Sequence, residues 1–125
     1  MLPALQLHGL GFIPYFPLAS GLLTGKYSRP GGADGRLKAN VLGLGDALLN
    51  ERNLRLVAVL EEFCRERGHT LLELAVSWLA SLPMVSSVIC GATKPEQVEQ
   101  NVKAADWAFT ADDLAQIDKL TRSAG

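Results

Sequence analysis

Apolar residues recur at intervals of three and four over long stretches of the chain. Leu56, Val57, Leu60, Phe63 and Cys64 share one helical face, with Glu61, Glu62, Arg65 and Glu66 opposite, which predicts a helix over 53–67. Gly68 fits the position just past its end. Leu71, Leu74, Ala75, Trp78 and Leu79 repeat the pattern and predict a helix over 71–81, opened by a Thr70–Glu73 capping box and stopped by Pro83. A second capping box, Thr93 with Glu96, starts a helix near 95–104 with Val98, Val102 and Ala105 inward. Thr110 and Asp113 make a third cap-like start, leading into a helix near 111–121 that buries Leu114, Ile117 and Leu120. Residues 2–8 read as the end of a helix, with Gly9 or Gly11 as its stop.

Two short runs lack this period and are apolar throughout. Residues 11–15, Gly-Phe-Ile-Pro-Tyr, and 87–90, Ser-Val-Ile-Cys, predict buried strands, although Pro14 cannot donate to a ladder. Strands alternating with helices imply a parallel sheet. Two strands alone make no stable sheet, and an eight-stranded α/β barrel takes roughly 200–250 residues. The element order therefore fits the later part of a larger α/β domain. Between the first strand and the helices, residues 16–27 hold too many Gly and Pro for a regular element, yet are too apolar for an ordinary surface loop. Such a glycine-punctuated segment is a candidate binding loop, because glycine lets backbone amides approach a ligand. Residues 28–46 are glycine-rich and charged. They read as a long flexible loop, reaching to about residue 50, of the kind that is functional or disordered in compact domains.

Composition narrows the class. The chain has 125 residues, room for one domain, and is 48% hydrophobic with a net charge of −1. That charge gives no electrostatic reason to expect a nucleic-acid or membrane partner. No window of 18 residues is apolar enough to span a bilayer. Cys64 and Cys90 fit no metal-ligand or Cys-x-x-Cys pattern, so no metal is expected. They read as buried reduced thiols of a cytoplasmic protein without a signal peptide.

The sharpest local chemistry lies in residues 89–101. A strand ends, Gly91 permits a tight turn, and a capped helix begins. The free amides of a first helical turn, with the helix dipole, suit a phosphate; Thr93 adds a hydroxyl and Lys94 a charge. Gln97, Gln100 and Asn101 follow one turn on, offering donors and acceptors together, as a purine edge requires. The same residues also fit a plain capped turn with three solvated amides.

Two stretches together resemble the aldo-keto reductase family: Phe16 to Tyr27, with its Leu-Ala-Ser-Gly run, and Glu73 to Asp118, with Trp78, Val85–Ile89, Pro95–Gln97 and Asn101. They lie in the family's order and cover nearly the whole chain. The resemblance implies an α/β fold: the C-terminal part of a (β/α)8 barrel, incomplete here, with about two parallel strands and four to five helices. It also implies NADP(H) as cofactor and a small carbonyl compound as substrate. Matched position by position, Tyr15 would stack on nicotinamide. Phe16, Leu18, Ala19, Ser20 and Gly21 would lie along the pyrophosphate, with Lys26 over it. Arg36, Gly91 and Thr93 would meet the adenosine 2′-phosphate, Gln97 that phosphate or the ribose, and Gln100 and Asn101 the adenine edge.

The match has departures. Phe16 stands where the family usually has serine, Ala92 also replaces a frequent serine, and Gln100 replaces a common glutamate. The family's catalytic tyrosine, lysine, aspartate and histidine come from a region before anything that aligns here, so no catalytic residue is assigned. His8 and His69 fall in helix and turn contexts, and His69 reads as a surface residue. Trp78 and Trp107 read as core.

Two functions follow as expectations: the cofactor-binding part of an NADP-dependent reductase, inactive alone, or a non-catalytic module that binds a nucleotide or a protein. With so few strands, Phe12, Ile13, Val88 and Ile89 are expected to stay partly uncovered, and the chain to self-associate through unpaired strand edges. Size-exclusion chromatography over a range of concentrations should show species larger than a monomer; a concentration-independent monomer would contradict this.

Overall fold

The computed structural model describes residues 1–25, 27, 43 and 45–123. Six helices are present among them: α1 (Leu2–Leu7), α2 (Gly45–Leu48), α3 (Glu51–Glu66), α4 (Leu71–Ala80), α5 (Pro95–Lys103) and α6 (Ala111–Ser123). A 3₁₀ stretch, Ala19–Thr24, lies between α1 and α2. The expected loop from residue 28 falls mostly outside the described residues, and its last part contains α2.

The helix ends follow from local chemistry. The Asn50 side chain accepts the Asn53 N–H at 2.9 Å, which starts α3 two residues before the apolar pattern suggests. At its other end Gly68 takes φ +72°. Its N–H bonds the Arg65 carbonyl at 3.1 Å, and the His69 N–H bonds the Cys64 carbonyl at 2.9 Å, a Schellman closure. The Thr70–Glu73 capping box is formed in both directions. So is its counterpart before α6: Thr110 N–H donates to Asp113 Oδ2 at 3.0 Å, and Asp113 N–H to Thr110 Oγ1 at 3.1 Å.

The expected pair of parallel strands, and with it the barrel portion, is not found. No strand is formed among the described residues. Residues 11–15 and 85–89 meet only at two isolated parallel bridges, Phe12 with Val85 and Tyr15 with Ile89. Three backbone hydrogen bonds hold them: Phe12 N–H to Met84 O (2.7 Å), Ser86 N–H to Phe12 O (2.9 Å) and Ile89 N–H to Pro14 O (3.0 Å). Pro14 has no N–H to extend the ladder, and a lone pair of short segments lacks the neighbours that make a sheet cooperative. Gly11 gives a close approach at the contact: a Cβ there would sit 2.6 Å from Ser86 Oγ, so that hydroxyl would have to turn away. Ile13 and Ile89 remain 53% and 56% exposed, and Phe12 and Val88 are half-buried.

The core is helical instead. Leu22 of the 3₁₀ stretch packs with Val57, Leu60, Phe63 and Cys64 of α3, Leu71 and Leu74 of α4, and Ile117 of α6. Trp107 and Phe109 close one side. The Trp107 ring stacks on Phe63 and on His69, the latter at 3.9 Å and 10°. His69 is thus half-buried rather than a surface residue. Trp78 and Leu114, expected inside, are 37% and 40% exposed. The largest departure is α5: Val98 and Val102 are exposed, and so is Ala105, while the neighbouring Ala104 is buried. No helix among the described residues is long and apolar enough to cross a membrane.

Two polar links tie the helices together. Ser77, buried on α4, donates its hydroxyl to the Ala104 carbonyl at 2.7 Å and accepts the Trp107 N–H at 3.1 Å. Arg67 donates to Asp113 Oδ1 (2.7 Å) and to Gln116 Oε1 (3.0 Å), with its guanidinium 3.8 Å above the Phe63 ring. The Thr110 amide and then Arg67 hold the Asp113 carboxyl below the ordinary carboxylate range.

Replacing Ser77 by Ala strands a buried carbonyl and a half-buried N–H, and should cost roughly 1–3 kcal/mol in urea unfolding. Asp113 titrates lower in the folded chain than in the unfolded one, so its stabilisation is complete above about pH 4. It is lost as pH falls through its lowered folded value. Asp113→Asn should flatten that acid limb of a stability–pH profile; an unchanged limb would exclude the link.

Candidate functional site

The segment Phe16–Gly25 follows directly from the first bridged run and is anchored by Leu22, which is buried in the core. Its backbone is unusual. Phe16, Ala19 and Ser20 have φ of 58°, 47° and 57°, and Gly21 and Gly25 are left-handed too. Left-handed backbone is unfavourable for side-chain-bearing residues, of order 1–3 kcal/mol each, and persists only where surrounding structure over-determines it. Here the over-determination is visible. Ala19 N–H bonds Phe16 O and Gly21 N–H bonds Leu18 O, both at 2.9 Å, while Leu23 N–H also reaches Leu18 O at 3.1 Å. The Thr24 hydroxyl closes on Gly21 O at 2.7 Å. Clustered strain of this kind marks segments whose shape serves something other than stability.

Opposite this loop lies the turn into α5. A cleft of about 510 Å³ separates the two, within the roughly 300–1,000 Å³ usual for small-molecule sites. Tyr15, Phe16, Leu18, Ser20 and Gly21 form one wall, and Gly91, Thr93 and Gln97 the other. The Tyr15 ring is largely exposed, tilted at 53° to Phe16 with centroids 5.0 Å apart. Gly91 does not have a positive φ, and a Cβ there would meet nothing within 4 Å. The tight turn expected of it is not what its glycine serves; the residue leaves open space at the cleft.

The turn is capped differently from expectation. Glu96 does not close a box with Thr93. Gln97 does the capping: its Oε1 accepts from Thr93 N–H at 2.7 Å, from the Thr93 hydroxyl at 3.1 Å and from Lys94 N–H at 3.2 Å.

Other expected site residues lie elsewhere. Ala19 packs against the core. Gln100 lines a separate cavity of about 1,090 Å³, with the charged residues Glu61, Glu73 and Lys103 among its walls. Asn101 lines an apolar recess of about 440 Å³ with Val76, Val88 and Val102. The three amides of α5 thus face three different spaces. Lys26 and Arg36 lie outside the described residues.

Pro17, Ile89, Cys90 and Ala92, which lie within the two stretches marked by the sequence but were not singled out as site residues, complete the walls. Burial raises the Cys90 thiol above its ordinary value, so it lines the cleft as a neutral group. A second, apolar groove of about 620 Å³ shares Tyr15, Phe16 and Pro17 and runs between α4 and α6 past Trp78 and Leu114. The surplus of apolar residues in 11–23 was its one trace in the sequence. Among the described residues no group of three His, Cys, Asp or Glu could hold a metal.

The model of the Aldo/keto reductase family matches residues 1–122. L-glyceraldehyde 3-phosphate reductase of Escherichia coli (strain K12) is 41% identical over 123 residues, 95% of this chain and 36% of that protein. A probable voltage-gated potassium channel subunit beta of Arabidopsis thaliana is 44% identical over 107 residues, 84% of this chain and 33% of the relative. NADH-specific methylglyoxal reductase of Escherichia coli (strain K12) is 34% identical over 129 residues, covering 98% and 37%. The chain spans about a third of the length of these relatives.

Leu22→Ala removes the buried anchor of the strained loop. It should cost roughly 2–5 kcal/mol in denaturant unfolding and speed amide exchange at Ser20 and Gly21 beyond the change elsewhere.

Proposed function

The chain belongs to the aldo/keto reductase family, and on that footing we propose that its cleft grips a nicotinamide dinucleotide for hydride transfer to a carbonyl compound. The observation that carries this reading is the strained loop Phe16–Gly21 facing the Gly91–Gln97 turn across a ligand-sized cleft. The residues present fit such a group. Tyr15 offers an exposed ring face on which a flat heterocycle can stack. The backbone from Phe16 to Gly21, left-handed at Phe16, Ala19, Ser20 and Gly21, gives a wall that an extended diphosphate could follow closely. Gly91 leaves room beside Thr93. The dinucleotide, when bound, supplies or accepts the hydride; this chain binds and orients it.

NADP(H) is the form we propose, on the charges of Lys26 and Arg36, with a small aldehyde or ketone as the carbonyl partner. Gln100 and Asn101 remain candidates for the adenine edge only if α5 shifts, since they line other cavities. On the resemblance, the tyrosine, lysine, aspartate and histidine that move the proton in the family are taken to have no counterpart in this stretch, and we propose that the 125-residue chain binds without turnover, in the cytoplasm.

A second reading is favoured by the exposed Val98 and Val102 on α5 and by relatives named as channel subunits. In that reading the chain is an interaction module, meeting a second copy or another protein through its uncovered apolar faces.

Titration of the purified chain with NADPH and with NADH, followed by nucleotide fluorescence, should give saturable binding. Tyr15→Ala should weaken it several-fold, and adding a small aldehyde should cause no oxidation of NADPH. Absence of binding to the folded chain removes the first reading and leaves the second.

A further inference from the structure

The two bridged runs have a covered face and a bare one. Successive residues of an extended run point to opposite sides. Phe12 and Pro14 line the groove against α4 and α6, while Ile13 and Tyr15, which alternate with them, stay exposed. Val88 and Cys90 likewise line the recess against α4 and α5, and Ile89 between them is exposed. The bridge of Tyr15 with Ile89 sets these two side chains next to each other, with the Phe16 ring adjoining. Parallel pairs are ordinarily covered on both faces. We propose that a second copy of this chain covers the bare face, the two copies meeting face to face through Ile13, Tyr15, Phe16 and Ile89 about a twofold axis.

Charge identifies the occupant. No Asp, Glu, Lys or Arg occurs in residues 9–25 or 74–93, the stretches that carry both runs. A charged protein, a nucleic acid or an anionic membrane finds nothing there to pair with. What matches an uncharged apolar face is another such face, and every copy brings one. The same patch on both subunits is the arrangement of a twofold dimer. The charged residues that ordinarily keep exposed strands from pairing are missing from both runs. A net charge of −1 adds little repulsion between copies. The surface is also large enough. The whole chain exposes 8162 Å², against about 6,500 Å² for a compact folded chain of 13.4 kDa, and a standard interface takes about 800 Å² from each partner.

This pairing takes the second reading above further and moves it from α5 to the bridged runs. Tyr15, Phe16 and Ile89 also belong to the cleft, so a seated copy closes its mouth. Association and nucleotide binding therefore exclude each other; this exclusion rests on the dinucleotide reading, and the pairing does not.

Sedimentation velocity over a range of chain concentrations should show a monomer–dimer equilibrium. Ile13→Glu brings an unpaired charge to each side of the interface and should raise the dimer dissociation constant at least about a hundredfold. Val102→Glu, on the open face of α5, should leave that constant unchanged. Circular dichroism and urea unfolding check that both variants fold. Without any variant, isotope-filtered NOEs in a mixture of labelled and unlabelled wild-type chain should run from the Ile13 and Ile89 methyls, and these decide if Ile13→Glu does not fold. Wild type that forms no dimer, a dimer that survives Ile13→Glu, or intermolecular NOEs confined to α5 overturn the pairing. With NADH as the probe, the apparent dissociation constant should rise with chain concentration in wild type and stay constant in Ile13→Glu. NADH bound to an intact dimer overturns the exclusion. If NADH binds neither protein, the dinucleotide reading falls and the exclusion with it, while sedimentation and NOEs still decide the pairing.

Discussion

Helix α4 must bury residues on more than one side of itself, and much of the molecule's arrangement follows from that demand. Leu71, Leu74, Ala75, Val76 and Ser77 are all buried, and the helix packs on the 3₁₀ stretch, on α3 and on α5. A helix so enclosed can carry a hydroxyl only where both its proton and a lone pair find partners. Ser77 meets this condition by joining the Ala104 carbonyl at the end of α5 to the Trp107 amide of the following segment. One side chain thereby fixes where α5 stops and where the chain turns toward α6. The aromatic closure by Trp107 and Phe109, and the Arg67–Asp113 link behind it, depend on that placement.

The two walls of the cleft are secured in different ways. The Phe16–Gly21 wall is bolted through Leu22 into the core, which is why three side-chain-bearing residues can hold left-handed backbone there. The α5 wall is held at its far end by Ala104 and Ser77, and its near end depends on a local, exposed cap.

Local chemistry was legible in the sequence, and distant packing was not. Two capping boxes, Thr70–Glu73 and Thr110–Asp113, are formed as their spacing implies, because every atom involved lies within four residues. The third failed at the same scale: a glutamine one position further on competes with Glu96 and takes its place at the turn. The strands failed for a longer-range reason. Residues 11–15 and 87–90 have the composition of buried strands, but a strand exists only through neighbours, and here each has a single partner touched at two points. The same limit explains α5. Its Val98–Val102 spacing describes an apolar face without saying whether anything covers it, and among the described residues it is left open. Of the candidate site, the residues adjoining the two bridged runs do share one cleft. Gln100 and Asn101 do not, because the three amides of α5 diverge around the helix.

Cys64 lies at the centre of the core, 1% exposed, and burial together with Glu73 and Glu61 pushes its thiol up to about 12 against the opposing pull of Arg67. A group so placed is shielded from solvent and held in its unreactive protonated form at neutral pH. Alkylating reagents should therefore react with it far more slowly in the folded chain than in molecules whose helices have parted. The native sequence therefore contains a built-in clock for core opening, readable by mass spectrometry without any label. Half-buried Cys90 at the cleft serves as the faster reference on the same chain.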